Sequence, residues 1–162
     1  MPTPILFVCL GNICRSPLAE GIFKHLAAQR TLAESFLVES AGTGDWHVGS
    51  LPDPRARETA LRRGLTLTSR AQLVHPARHF SRGGLILAMD RSNLSRLATL
   101  GAPSDRLHLL RSFDPALANA APHELEVPDP YFGPAEGFDT VFDMIHAACE
   151  GLLDHLLKEP RA

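Results

Sequence analysis

Residues 8–17 read VCLGNICRSP, and this stretch decides how the chain is organised. Ile5 to Leu10 is a continuous apolar run with β-branched and aromatic members, the pattern of a strand buried on both faces. Gly11 and Asn12 end it. From Ser16 the pattern turns helical: Pro17 suits a first turn, Glu20 is favourable near the positive helix end, and Leu18, Ile22 and Leu26 recur every four residues. The first unit is therefore a strand, a tight loop and a helix.

The unit recurs along the chain. Phe36 to Ala41 reads as a strand, and Asp53-Pro54 opens a helix that Gly64 closes. Leu85 to Met89 is a third strand, Asp90 caps a helix carrying Leu94, Leu97 and Ala98, and Leu107 to Leu110 gives a fourth, short strand. Strands alternating with helices imply an α/β fold with a parallel, helix-covered sheet. Residues 111–137 hold five prolines and no clear period, and a connection of that length is expected to carry function. A last helix follows, in which Phe138, Val141, Phe142, Ile145, Cys149, Leu152 and Leu156 form one apolar stripe.

A length of 162 residues fits one domain over 1–162. A hydrophobic content of 44% and a net charge of -2 mark an ordinary globular composition, without the basic excess that nucleic-acid binding calls for. The early run ILFVCL lacks a preceding basic residue and a small-residue cleavage pattern, so it is not read as a signal peptide, and no later run approaches membrane-spanning length. Three cysteines, with Cys149 far from the others, make a poor disulfide framework and fit a reducing compartment. A cytoplasmic protein without membrane contact is expected, monomeric or only weakly self-associating.

Chemistry concentrates in the opening stretch. A loop between a parallel strand and a helix N-terminus collects unpaired N–H groups, to which the helix dipole adds partial positive charge, and the result is an anion site. Arg15 supplies a planar, permanently charged fork that matches two phosphate oxygens. Cys9 at the other rim is a thiol in an environment that favours the thiolate, and a thiolate beside phosphate is a nucleophile. The spacing C-x5-R lets Leu10, Gly11, Asn12, Ile13 and Cys14 wrap around the phosphate oxygens, with Gly11 permitting the tight wrap. Ser16 brings a hydroxyl near the sulfur, and Asn12 tolerates a left-handed backbone and braces the loop. C-x5-R alone is a weak pattern; the strand and helix around it give it meaning.

VCLGNICRSP, then SAGTGDW, PDPR, MDRSNL and VPDPYFG in that order, resemble the low-molecular-weight protein tyrosine phosphatase family over essentially the whole chain. The resemblance implies a flavodoxin-like, doubly wound four-stranded parallel sheet with helices on both faces. It also implies hydrolysis of phosphotyrosine in proteins, or of small aryl phosphates, through a cysteinyl-phosphate intermediate. No cofactor and no metal are implied. The expelled alkoxide or phenolate needs a proton donor, and Asp129, held between Pro128 and Pro130, matches the family's general acid.

Trp46, Tyr131 and Phe132 are expected to rim the cleft and favour an aromatic substrate. Trp46 also admits a plain reading as a loop anchor packed on the domain. Ile13 offers an apolar wall where related phosphoarginine phosphatases place a threonine, which favours phosphotyrosine. Cys14 is either a small buried hydrophobe or, as in the family, a partner that forms a reversible disulfide with the nucleophile under oxidant. Ser40 matches a loop-bracing position after the second strand. Phe132 replaces a second tyrosine common in the family, and TSRAQL has Ser69 where a histidine is common, so the support of Asn12 is expected to differ.

Other constellations are weaker. His75 and His79 are four apart, but Pro76 is read as breaking the helix that would align them, so both are expected at the surface. GTGDWHVG displaces the third glycine of a dinucleotide fingerprint. Cys149 fits the core. A thiol-dependent arsenate reductase shares the fold and loop but needs mid-chain cysteines, of which there are none between Cys14 and Cys149. A noncatalytic phosphate-binding module would be expected to have lost Cys9 or Asp129.

Overall fold

The computed structural model describes residues 1–159; residues 160–162, which the one-domain expectation includes, lie outside the described residues. The elements are β1 (Thr3–Cys9), α1 (Arg15–Gln29), β2 (Phe36–Gly42), α2 (Pro54–Arg62), α3 (Pro76–His79), β3 (Leu85–Ala88), α4 (Arg91–Thr99), β4 (Leu107–Leu109) and α5 (Glu136–Lys158). The strands form one all-parallel sheet in the order β2-β1-β3-β4. The alternating strand and helix units thus build the flavodoxin-like doubly wound fold that the motifs imply.

Period-two alternation along β1 divides the core. Ile5, Phe7 and Cys9 face a cluster built with α1, α2 and α5, while Leu6 and Val8 face a second cluster containing Phe80 at the end of α3, Leu97 of α4 and Ala102. On the first face Phe23 meets Phe7 and Phe36 at ring centroid distances of 5.9 and 5.2 Å. Burying each such ring contributes about 1.5–3 kcal/mol. The stripe of α5 packs there from Phe138 to Leu152, with Leu156 half-buried at its end.

Three expectations need correction. Glu20 is buried in α1 and takes hydrogen bonds from Ser40 and Lys24, so specific partners, rather than the helix dipole, hold it. The fourth strand stops at Leu109, because Leu110–Phe113 closes into a 3-10 turn. The long connection beyond it contains two more such turns, Pro115–Leu117 and Pro122–Leu125, each started by a proline whose fixed φ suits it.

The histidine pair differs most. Pro76 starts α3 instead of breaking a helix, since a first helical position needs no N–H donor. The His75 N–H donates to His79 Nδ1 at 2.8 Å, and His79 is buried while His75 is exposed. Burial first, then the charges of Arg78 and Arg82 against the opposing pull of Glu39, and finally His75, hold the His79 pKa down to about 4. Its neutral form therefore contributes stability that is fully present above the ordinary histidine value near 6.5 and is lost as pH falls toward 4. We predict that wild-type stability to urea falls between pH 6.5 and 4.5 with a slope approaching about 1.4 kcal/mol per pH unit from this one proton. In His79→Asn, which keeps an acceptor near Nδ1, that slope flattens. Equal slopes would refute the assignment.

Candidate active site

In the order β2-β1-β3-β4 the chain leaves β1 and β3 toward opposite edges of the sheet, and a crevice opens beyond their C-terminal ends. Cys9 is the last residue of β1, and Asp90 lies two residues past the end of β3. The segment from Cys9 to α1 is the loop of the opening motif. Its carbonyls are bonded outward: Thr43 N–H donates to Cys9 O at 3.0 Å, Gly44 N–H to Leu10 O at 2.9 Å, Asp53 N–H to Ile13 O at 2.8 Å and Leu18 N–H to Cys14 O at 3.3 Å. With these four carbonyls bonded to other segments and α1 starting at Arg15, the loop has the setting in which backbone N–H groups can receive an anion.

The left-handed turn of the loop falls on Asn12, at φ 57°, and not on Gly11. Gly11 serves close packing instead, since a Cβ there would lie 3.0 Å from the His47 ring. Asn12 is saturated with partners. Its amide donates to Ser16 Oγ at 2.8 Å and to Ser40 Oγ at 3.0 Å, while its Oδ1 accepts from the Gln72 N–H at 2.9 Å. The Ser40 hydroxyl in turn donates to Glu20 Oε1 at 2.5 Å. Ser16 Oγ, which accepts from Asn12, stands 2.9 Å from Cys9 Sγ and 3.5 Å from Ala41 O. The Asn12 N–H donates to the same sulfur at 3.3 Å. A continuous chain of hydrogen bonds thus runs from a buried carboxylate to the sulfur.

Arg15 is only 2% exposed, so its charge requires partners. Nη1 donates to Asp90 Oδ2 at 2.7 Å and to Val127 O at 3.0 Å, and Nη2 stands 3.6 Å from Asp129 Oδ2. Burial works against the charge, but Cys9, Asp90 and Asp129 together hold the guanidinium above its ordinary pKa. Asp129 is exposed, and its other oxygen accepts from the Tyr131 N–H at 3.1 Å.

The resulting cleft, about 130 Å³ in volume, is lined by Cys9, Leu10, Gly11, Ile13, Cys14, Arg15, Trp46, Asp129, Tyr131 and Phe132, each singled out in the sequence. Asn12 and Ser16 do not line it; both stand behind the loop as braces. Ser40 lies inside β2, not after it, because the strand runs on to Gly42, where a Cβ would come within 2.7 Å of Leu10 O. Burial first, then the charges of Asp53, Cys9 and Asp129, with Arg55 opposing, raise the Cys14 pKa and keep it a thiol. Cys9, Cys14 and Cys149 are all free, and Cys149 is buried in the core. Trp46 is 71% exposed and Phe132 93% exposed, so these rings stand at the rim instead of anchoring the loop in the core.

Several residues of the site escape a reading of the sequence. His47 lines the cleft beside Trp46 and carries no signal except its neighbour. Asp90 is read as a helix cap, and its Oδ1 does accept from the Asn93 N–H at 2.8 Å; its second oxygen, on Arg15, has no sequence signature. Gln72 supports Asn12 through its backbone N–H, while its side chain donates to Ser40 O at 2.9 Å. Arg55 pairs with Asp53 and lies over the Tyr131 ring at 5.5 Å. Among the described residues no cluster of three or more His, Cys, Asp or Glu forms a candidate metal site, and no helix is long and apolar enough to cross a membrane.

The chain is similar to known proteins over nearly its whole length. The family model of low molecular weight phosphotyrosine protein phosphatases matches residues 4–162. The low molecular weight protein-tyrosine phosphatase A of Mycobacterium tuberculosis is 42% identical over 94% of this chain and 91% of its own. YfkJ from Bacillus subtilis superposes with a TM-score of 0.89 at 33% identity, covering 99% of this chain and 98% of its own. The drosophila arginine phosphatase DARP superposes with a TM-score of 0.85, also at 33% identity, over 96% and 99%. With this match over nearly the whole chain, and with Cys9, Arg15 and Asp129 gathered at the switch point of the sheet, the chain belongs to the low molecular weight phosphotyrosine protein phosphatase family of hydrolases.

Proposed function

We propose that this protein hydrolyses phosphotyrosine in proteins, and small aryl phosphates, through a phosphoenzyme formed on Cys9. One observation carries the reading: residues far apart in sequence meet in one cleft, with the Cys9 sulfur at its base, the Arg15 fork on its wall and the Asp129 carboxyl at its mouth.

In the first step the Cys9 sulfur forms a bond to phosphorus while the bond to the phenolic oxygen breaks. Asp129 gives its proton to that oxygen, so phenol leaves neutral. Arg15 and the loop N–H groups hold the equatorial oxygens, where most of the catalysis of phosphoryl transfer lies. In the second step Asp129, now a carboxylate, takes a proton from the attacking water, the P–S bond breaks and phosphate leaves. Ser16 donates to the sulfur as it regains its charge. The apolar wall of Ile13 and the rings of Trp46, Tyr131 and Phe132 favour a phenyl group over the guanidinium of phosphoarginine, although DARP shares the fold.

Phenyl phosphate hydrolysis in metal-free buffer tests the roles. Cys9→Ser is expected to abolish turnover, and Asp129→Ala to lower kcat by about 10²- to 10⁴-fold; turnover surviving in Cys9→Ser would overturn the mechanism. Matched peptides bearing phosphotyrosine or phosphoarginine test the walls, and an equal or higher kcat/KM on phosphoarginine would reassign the substrate.

The placement of Cys14 beside Cys9 on the same cleft supports redox protection. Peroxide would convert the Cys9 thiol to a sulfenic acid, which condenses with the Cys14 thiol to a disulfide and water. Inactivation by peroxide is expected to reverse with dithiothreitol in wild type and to become largely irreversible in Cys14→Ser; full recovery of that variant would remove the role.

A further inference from the structure

A second groove, about 360 Å³, shares Trp46 with the catalytic cleft. Its walls are the Trp46 ring, Leu73, Val74 and Leu100, with Asp45 and Arg96 also lining it. We propose that this groove seats an apolar side chain of a phosphotyrosine-containing peptide, a few residues along from the phosphorylated one. The proposal rests on the phosphotyrosine reading of the adjoining cleft.

Three observations support it. Trp46 is common to both cavities, so a chain leaving the cleft meets the groove on crossing one ring. At roughly 3.3–3.6 Å per extended residue that takes two or three residues. The groove is also fixed relative to Cys9, because Thr43 and Gly44 on its floor donate to Cys9 O and Leu10 O. The indole itself lies so close on Gly44 that a Cβ there would fall 1.8 Å from the ring. Finally, the apolar lining is accessible, with Leu73 44% exposed and Trp46 71% exposed. One carboxylate and one guanidinium give the groove no net charge to select an acidic or basic residue. An aliphatic side chain is the occupant that this lining rewards.

Short phosphotyrosine peptides in which each of the three positions on either side of the phosphotyrosine is in turn Leu, Ala, Asp or Lys test the proposal. Phenyl phosphate serves as the reference for the catalytic centre. Expected is one position at which Leu raises kcat/KM about five- to tenfold over Ala, Asp and Lys. In Leu73→Asp that advantage disappears. Hydrolysis of phenyl phosphate with no Leu preference at any position overturns the proposal, and so does a preference that Leu73→Asp leaves intact. Failure of the wild type to hydrolyse phenyl phosphate overturns instead the catalytic reading on which the groove depends.

Discussion

A guanidinium almost without solvent is the constraint around which this molecule is arranged. Arg15 cannot be buried at the start of α1 unless other segments bring it acceptors, and they arrive from the end of β3 as Asp90 and from the long connection as Val127 O. Asp90 spends its remaining oxygen on the first turn of α4. The Val127 N–H in turn donates to Met89 O at 2.8 Å. One charge thereby ties the loop after β1, a helix start and the long connection to one place, and the remaining fork edge is turned to the cleft beside Asp129.

A second network performs the same service for the sulfur. Asn12 sits in a left-handed conformation that costs about 1 kcal/mol or more for a residue with a side chain, and every hydrogen-bonding atom of its amide is used. The brace draws on α1 through Glu20 and Ser16, on β2 through Ser40, and on the segment before α3 through Gln72. Because the members are polar and buried together, loss of one leaves the others unpaired, which is more costly than the single bond removed.

These networks explain what a linear reading of the chain can and cannot reach. β1, α1 and the stripe of α5 follow from periodicity, since burial on a sheet or helix face imposes it. That Cys9, Arg15 and Asp129 meet in one cleft is legible because their local settings, a strand-to-helix loop and a proline-flanked turn, are themselves local. Asp90, His47 and Gln72 are not, because their roles exist only after the sheet has brought separate segments together. The reading of His79 as a surface residue failed for a local reason, while His75 is exposed as expected: proline is a poor interior residue of a helix but a good first one, and here it is first. Glu20 shows the opposite case, where a helix-dipole argument is overridden by tertiary partners.

The placement of the aromatic residues has a spectroscopic consequence. The chain has one tryptophan and one tyrosine, and eight phenylalanines. The tryptophan stands largely in water on the rim, and the tyrosine is exposed there as well, while the most deeply buried rings are Phe7, Phe23 and Phe138. Intrinsic fluorescence of the folded protein is therefore the signal of a hydrated indole at the mouth of the cleft. It reports what enters the cleft far more directly than whether the core is intact, and melting of the sheet is better followed by circular dichroism than by emission.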